Sequence, residues 1–94
     1  MKINEQEFLA VSGIDSTTLQ VWLEDRWLVA DVSSPDMMFS DIDFARAQLV
    51  QDLRNVMGIN DPGVSVVLDL VDQVHGLRRQ LRDLRHAIQT PEVR

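Results

Sequence analysis

From Val67 to Ile88, apolar residues return at alternating intervals of three and four: Val67, Leu70, Val74, Leu77, Leu81, Leu84 and Ile88. That spacing draws one apolar stripe along an α-helix, the seam by which one helix packs on another. A helix carrying it is predicted from Pro62 to about Ile88. Asp61 is expected to cap it, with Pro62 at the first helical position, where a missing N–H costs nothing. Its first stretch, Val64-Ser65-Val66-Val67-Leu68-Asp69-Leu70-Val71, is apolar on more than one side and is expected to be buried against the N-terminal part of the chain. β-Branched residues form helices weakly, so packing must set the state of this run, and a strand is the competing reading. Leu70, Val74, Leu77, Leu81, Leu84 and Ile88 are the residues expected to pair with a second helix, from another copy of the chain or from a partner. Three heptads are short for an isolated coiled coil, so the pairing has to be coupled to a folded domain.

The N-terminal part carries dense helix punctuation. Asn4 with Glu7 three residues on has capping-box spacing, Ile3 and Phe8 are placed as a hydrophobic staple, and Gly13 is a natural stop. Asp15 or Ser16 then opens a second helix through about Asp25, with Ile14 placed to staple onto Leu19. Two short helices around a glycine make a helix-turn-helix unit. Trp27 to Val32 reads as an extended arm, Ser33-Ser34-Pro35-Asp36 as a turn, and Met37-Met38-Phe39 as a short return arm, together a small β-ribbon wing. Ser40 with Asp43 repeats the capping-box spacing, and Ile42, Ala45, Leu49, Leu53 and Val56 mark the expected apolar face of a third helix ending at Gly58. The fold class is therefore all-α in the main. It is expected to comprise a winged helix-turn-helix with a third helix over 1–60, a long coiled-coil-like helix over 61–90 and a flexible tail at 91–94.

Charge is unevenly distributed. The formal net charge is −6; residues 1–75 hold four basic side chains against thirteen acidic ones, while Arg78, Arg79, Arg82, Arg85 and Arg94 gather in the remainder beside Asp83 and Glu92. Such a body repels a phosphate backbone and attracts a basic protein surface. The acidic residues Glu24, Asp25, Asp69 and Asp72 are the candidate partner-binding residues. The four arginines of the last helix read as the solvated flank of the seam or as partners for acids on another helix. No run approaches a membrane span and no apolar leader follows Met1, so the cytoplasm is the expected location and a membrane is not an expected partner.

Chemistry finds little to work with. Cysteine and tyrosine are absent, so no thiolate metal site or disulfide is available. His75 and His86 lie about 16 Å apart along a helix axis, too far to share one metal. The serines fall at cap and turn positions, the pairs Glu24/Asp25 and Asp41/Asp43 read as solvated surface charge, and the four glycines form no phosphate loop. No catalytic, metal or cofactor site is expected, and the chain is not read as an enzyme. Trp22 and Trp27 either close the core or leave one ring exposed as an interface anchor. The helix-turn-helix raises DNA reading, with Thr17, Thr18 and Gln20 facing the bases. Neither that helix nor the wing carries a cation, however, and few phosphates would be neutralised.

The segments Asn4–Ile14, Thr18–Glu24 and Trp27–Val29 resemble the N-terminal half of a MerR-like winged helix. The stretch from Gly58 through Val74, followed by Leu77, Leu81 and Leu84, resembles more closely the chaperone modulators of the CbpM type, with a proline-glycine-aliphatic entry into an aliphatic helix and a leucine-spaced tail. The likeness covers residues 3–89. It departs from MerR-like DNA binders at Gln20, where they usually place an arginine, and at Asp31 to Met38, where their wing is basic or aromatic. The resemblance implies a protein that binds the J-domain of a DnaJ-like, DNA-binding co-chaperone and blocks both its Hsp70 engagement and its DNA binding. The alternatives are a MerR-like transcription regulator acting as a DNA-binding dimer and a structural coiled-coil adaptor.

Overall fold

The structure, a computed structural model, describes residues 1–33 and 35–89. Strand β1 (Ile3–Asn4) leads into α1 (Glu5–Ser12). Next come α2 (Ser16–Glu24), β2 (Met38–Phe39), α3 (Asp41–Gln51) with a π-helical turn over Asp52–Val56, and α4 (Asp61–Gln89). By internal contacts the chain divides into Met1–Val64 and Ser65–Arg94, so α4 begins in the first unit. Ser34 of the expected turn and the tail expected at 91–94 lie outside the described residues.

Caps form where the spacing places them. The Asn4 side chain accepts the Glu7 N–H (2.9 Å) and Glu7 accepts the Asn4 N–H (3.2 Å), a reciprocal box at the start of α1. Gly13 ends that helix at φ 78°, its N–H donating to the Leu9 carbonyl (3.1 Å). Asp15 caps α2 through the Thr18 N–H (2.7 Å). The far end of α2 closes in a Schellman turn on a residue the sequence does not advertise. Arg26 takes the left-handed position at φ 62°, with Arg26 N–H donating to Leu23 (3.2 Å) and Trp27 N–H to Trp22 (2.9 Å). The apolar contact that accompanies such turns is Trp22 on Trp27, ring centroids 6.1 Å apart. Both indoles are buried, so they serve the core and neither is an exposed anchor.

The wing is shorter than expected and differently paired. β2 pairs antiparallel with β1, Ile3 opposite Phe39 and Asn4 opposite Met38, and the arm from Trp27 contributes a single bridge, Asp31 to Met38. Trp27 and Leu28 turn into the core instead of extending the ribbon, because the Schellman turn aims them inward. Phe39 stacks on Phe8 at 4.3 Å with the rings 17° from parallel, and both side chains are fully buried.

The buried stripe of α3 lies one residue away from the expected one. Asp43, Ala47 and Val50 face inward with Leu53, whereas Ile42 is 77% exposed, Val56 is 80% exposed and Ala45 is also exposed. Asp43 reads in the sequence as a solvated acid. It is buried instead, accepting the Ser40 N–H (2.8 Å) and hydroxyl (3.1 Å) in a second capping box. The small side chain of Ala47 suits a close approach between α3 and its neighbours. The helix then widens into the π turn, where the Met57 N–H reaches back to the Asp52 carbonyl (3.0 Å), before Gly58 turns left-handed. α4 begins one residue earlier than expected. Asn60, not Asp61, is the cap, its side chain accepting the Gly63 N–H (2.9 Å), and Pro62 is the second helical residue. A Cβ on Gly63 would lie 2.7 Å from the Ile59 side chain, so the cap needs glycine there. Val64 and Leu68 are the buried residues of α4; the rest of its aliphatic opening is half-buried or exposed.

A left-handed non-glycine residue is strained by roughly 1–2 kcal/mol, partly offset by the extra unfolded-state freedom a glycine would have. Arg26→Gly should therefore raise stability by about 0.5–1 kcal/mol in urea unfolding followed by tryptophan fluorescence. A loss of stability would show that the arginine side chain holds the turn.

Candidate protein-binding surface

The four candidate acids are all exposed, but they fall on two units. Glu24 is the last residue of α2 and Asp25 follows it as cap, with no basic residue in that turn. Negative charge at the carbonyl end of a helix opposes the helix dipole, so folding does not account for these two residues. Asp69 and Asp72, three apart on α4, share a face. Leu70, Val74, Leu77, Leu81, Leu84 and Ile88 of the seam are exposed, from Val74 at 45% to Ile88 at 74%. Its upper part, Val67, Leu70, Val71 and Val74, forms an open apolar face together with His75 and Arg78. Along α4 the charge changes sign: Asp61, Asp69 and Asp72 precede Arg78, Arg79, Arg82 and Arg85, the order the helix dipole favours.

The helix-turn-helix face has the opposite character to a phosphate-binding one. Thr17 and Gln20 are exposed on α2 and Thr18 is half-buried, its N–H taken by Asp15. Of the four basic side chains in the first unit, three hold intramolecular partners. Lys2 pairs with Asp31, Arg46 donates from Nε to the Trp27 carbonyl, and Arg54 lies 3.2 Å from Asp61. Asp31, in the wing, also accepts the Ser33 N–H (2.9 Å). The lysine, with help from Ser33, holds the Asp31 carboxyl far below the usual carboxylate range. Asp15 is lowered too, chiefly by the Thr18 backbone N–H.

One concavity has no counterpart in the sequence patterns. Met1, Ile3, Val11, Ser40, Asp41 and Phe44 line an open groove of about 210 Å³ where β1, α1 and the start of α3 meet. Its lining comes from two stretches almost thirty residues apart, brought together by the β1–β2 pairing and the Phe8–Phe39 stack, so no local spacing announces it. His75 and His86 are both exposed, and no cluster of three or more His, Cys, Asp or Glu able to hold a metal occurs among the described residues. No helix among them is long and apolar enough to cross a membrane.

A family model described as MerR HTH family regulatory protein matches residues 3–86. No curated protein and no solved structure matches the chain.

The Asp31–Lys2 pair has a pH signature. A carboxyl depressed in the folded state stabilises it in full above the unfolded value of 3.8, and that contribution fades as pH falls below it. Asp31→Asn should lower the thermal midpoint at pH 7, and the gap to the parent chain should shrink steadily below pH 3.8. A gap that stays constant down to strong acid would mean that the charge of Asp31 contributes nothing.

Proposed function

We propose that this chain, which belongs to the MerR HTH family of regulatory proteins, is a protein-binding modulator that inhibits a DnaJ-like co-chaperone by occupying its J-domain in competition with Hsp70. The observation that carries this reading is the commitment of the first unit's cations. Residues 1–64 contain four basic side chains against eleven acidic ones, and Lys2, Arg46 and Arg54 are held by the protein's own acceptors. An affinity for DNA grows with the number of phosphates neutralised, and α2 and the wing have no cation to offer. The same surplus of carboxylate suits the basic helix that a J-domain presents to Hsp70, and covering that helix excludes the chaperone by direct competition. In this reading the protein carries no chemistry and needs no cofactor, and it works in the cytoplasm beside its target.

Titration of a purified J-domain into the full chain should give binding at micromolar concentration or tighter. Affinity should fall about tenfold from low to high salt, because exposed charge pairs are screened. Absence of binding overturns the proposal, and salt-independent binding removes its electrostatic part. The family description favours a second reading, a dimeric DNA-binding regulator. A mobility shift with genomic fragments at modest salt separates the two, since the modulator should shift none.

The exposed seam of α4 supports a further element of this reading, self-association through the C-terminal helix. With acids in its first half and arginines in its second, two copies placed antiparallel set opposite charges side by side, whereas a parallel pair would set like beside like. Leu77→Asp combined with Leu81→Asp should give a monomer by sedimentation while leaving J-domain binding intact. Loss of both together would favour a coiled-coil adaptor instead.

A further inference from the structure

We infer that the groove lined by Met1, Ile3, Val11, Ser40, Asp41 and Phe44 is where a basic amphipathic partner helix seats an apolar side chain, with a neighbouring cation of that helix on Asp41. The inference rests on the protein-binding reading above and gives that reading a place.

A surface of carboxylates alone attracts basic proteins without distinguishing among them. Affinity in protein contacts concentrates where an apolar anchor enters a pocket and water is excluded around it. The first unit offers such a pocket in this groove. Its floor is aliphatic and aromatic: Ile3 and Phe44 are half-buried, and Val11 is 57% exposed on α1, off the stripe by which Phe8 enters the core. Asp41, exposed at the start of α3, stands on the rim. The rim already holds the kind of group expected there, since the terminal ammonium lies 3.8 Å from the Asp41 carboxylate. That pair is almost wholly solvent-exposed and therefore weak, so it is readily displaced by a cation that brings its own apolar anchor.

The open apolar face of α4 is the competing site, and its chemistry fits a basic helix less well. Arg78 borders it, where it would repel the partner's cations, and the same face is the seam proposed for self-association. No lysine or arginine lines the groove of the first unit, whose one cation is the terminal ammonium beside Asp41.

The test is a titration of the purified J-domain into four full-length proteins: wild type, Val11→Lys, Asp41→Asn and Val56→Lys. Val56 is an exposed apolar residue outside the groove and serves as the control for added charge. Val11→Lys should weaken binding by about tenfold or more, as expected for filling an anchor pocket with a repelling charge. Asp41→Asn should weaken it several-fold and flatten its salt dependence, and Val56→Lys should bind as wild type. Should Val11→Lys lose its cooperative thermal transition, Asp41→Asn decides alone. If wild type binds and both groove variants bind equally well, the groove is not the site and the protein-binding reading stands without it. Equal weakening in all three variants also overturns the groove, by reducing the effect to net charge. If wild type does not bind, the reading and the groove fall together.

Discussion

The stack of Phe8 on Phe39 is the contact on which the first unit depends. It joins α1 to a strand more than thirty residues away, and both rings are withdrawn completely from solvent at a centroid distance of 4.3 Å. Removing two rings of this size from water contributes several kcal/mol, a large share of what holds a domain this small. With Phe39 fixed on α1, Met38 and Phe39 lie beside Ile3 and Asn4, and the hydrogen bonds of the short sheet follow. The arm from Trp27 is then left with one bridge at Asp31, which Lys2 secures from the strand side. A wing built this way has Asp31 engaged by Lys2 from outside it.

How much of this was legible depended on the range of the interaction. Asn4–Glu7, Asp15–Thr18 and Ser40–Asp43 are bonds between residues three apart, and their spacing alone locates three helix starts. Long-range consequences were harder to read. Asp43 looked like a marker of the solvated face, yet the capping box satisfies its carboxylate and lets it turn inward, which rotates the buried stripe of α3 away from Ile42 and Ala45. β1 has only two residues and no local partner, so nothing near it in the chain suggests a strand. Arg26 escaped for a related reason: the left-handed position is normally sought at glycine or asparagine, and here the burial of Trp22 and Trp27 imposes it on an arginine. The candidate acids could be read as exposed. Their separation onto two units could not, and the groove beside Asp41 exists only once the sheet has formed.

The family match and the surface chemistry bear on different questions. A helix-turn-helix is a way of packing short helices around a small core, and the same packing accepts many surfaces. In this chain the residues that would have to meet phosphate are threonine, glutamine and carboxylates, while Arg46 and Arg54 are turned to the Trp27 carbonyl and to Asp61. Cations used in this way stabilise a small unit that has few apolar residues to bury. Lys2 and Arg54, each beside a carboxylate, have that charge compensated and so add little to long-range attraction of a polyanion. Folding needs and DNA affinity draw on the same side chains at Lys2, Arg46 and Arg54.

The last helix poses the converse problem. From Leu70 onward, apart from the half-buried Val71 and Gly76, its described residues are exposed, including six large apolar ones at seam spacing. Helix propensity alone gives marginal stability to a segment of about twenty residues in water, and valine, histidine and Gly76 lower it further. Acids near the start and arginines near the end add a favourable dipole term, but one of only tenths of a kcal/mol each. In the self-association proposed above, a second helix would cover this stripe. In that proposed pairing, the sign change between Asp72 and Arg78 would favour an antiparallel copy, which sets acids beside arginines along both halves, over a helix of one uniform charge, which one half of α4 would repel.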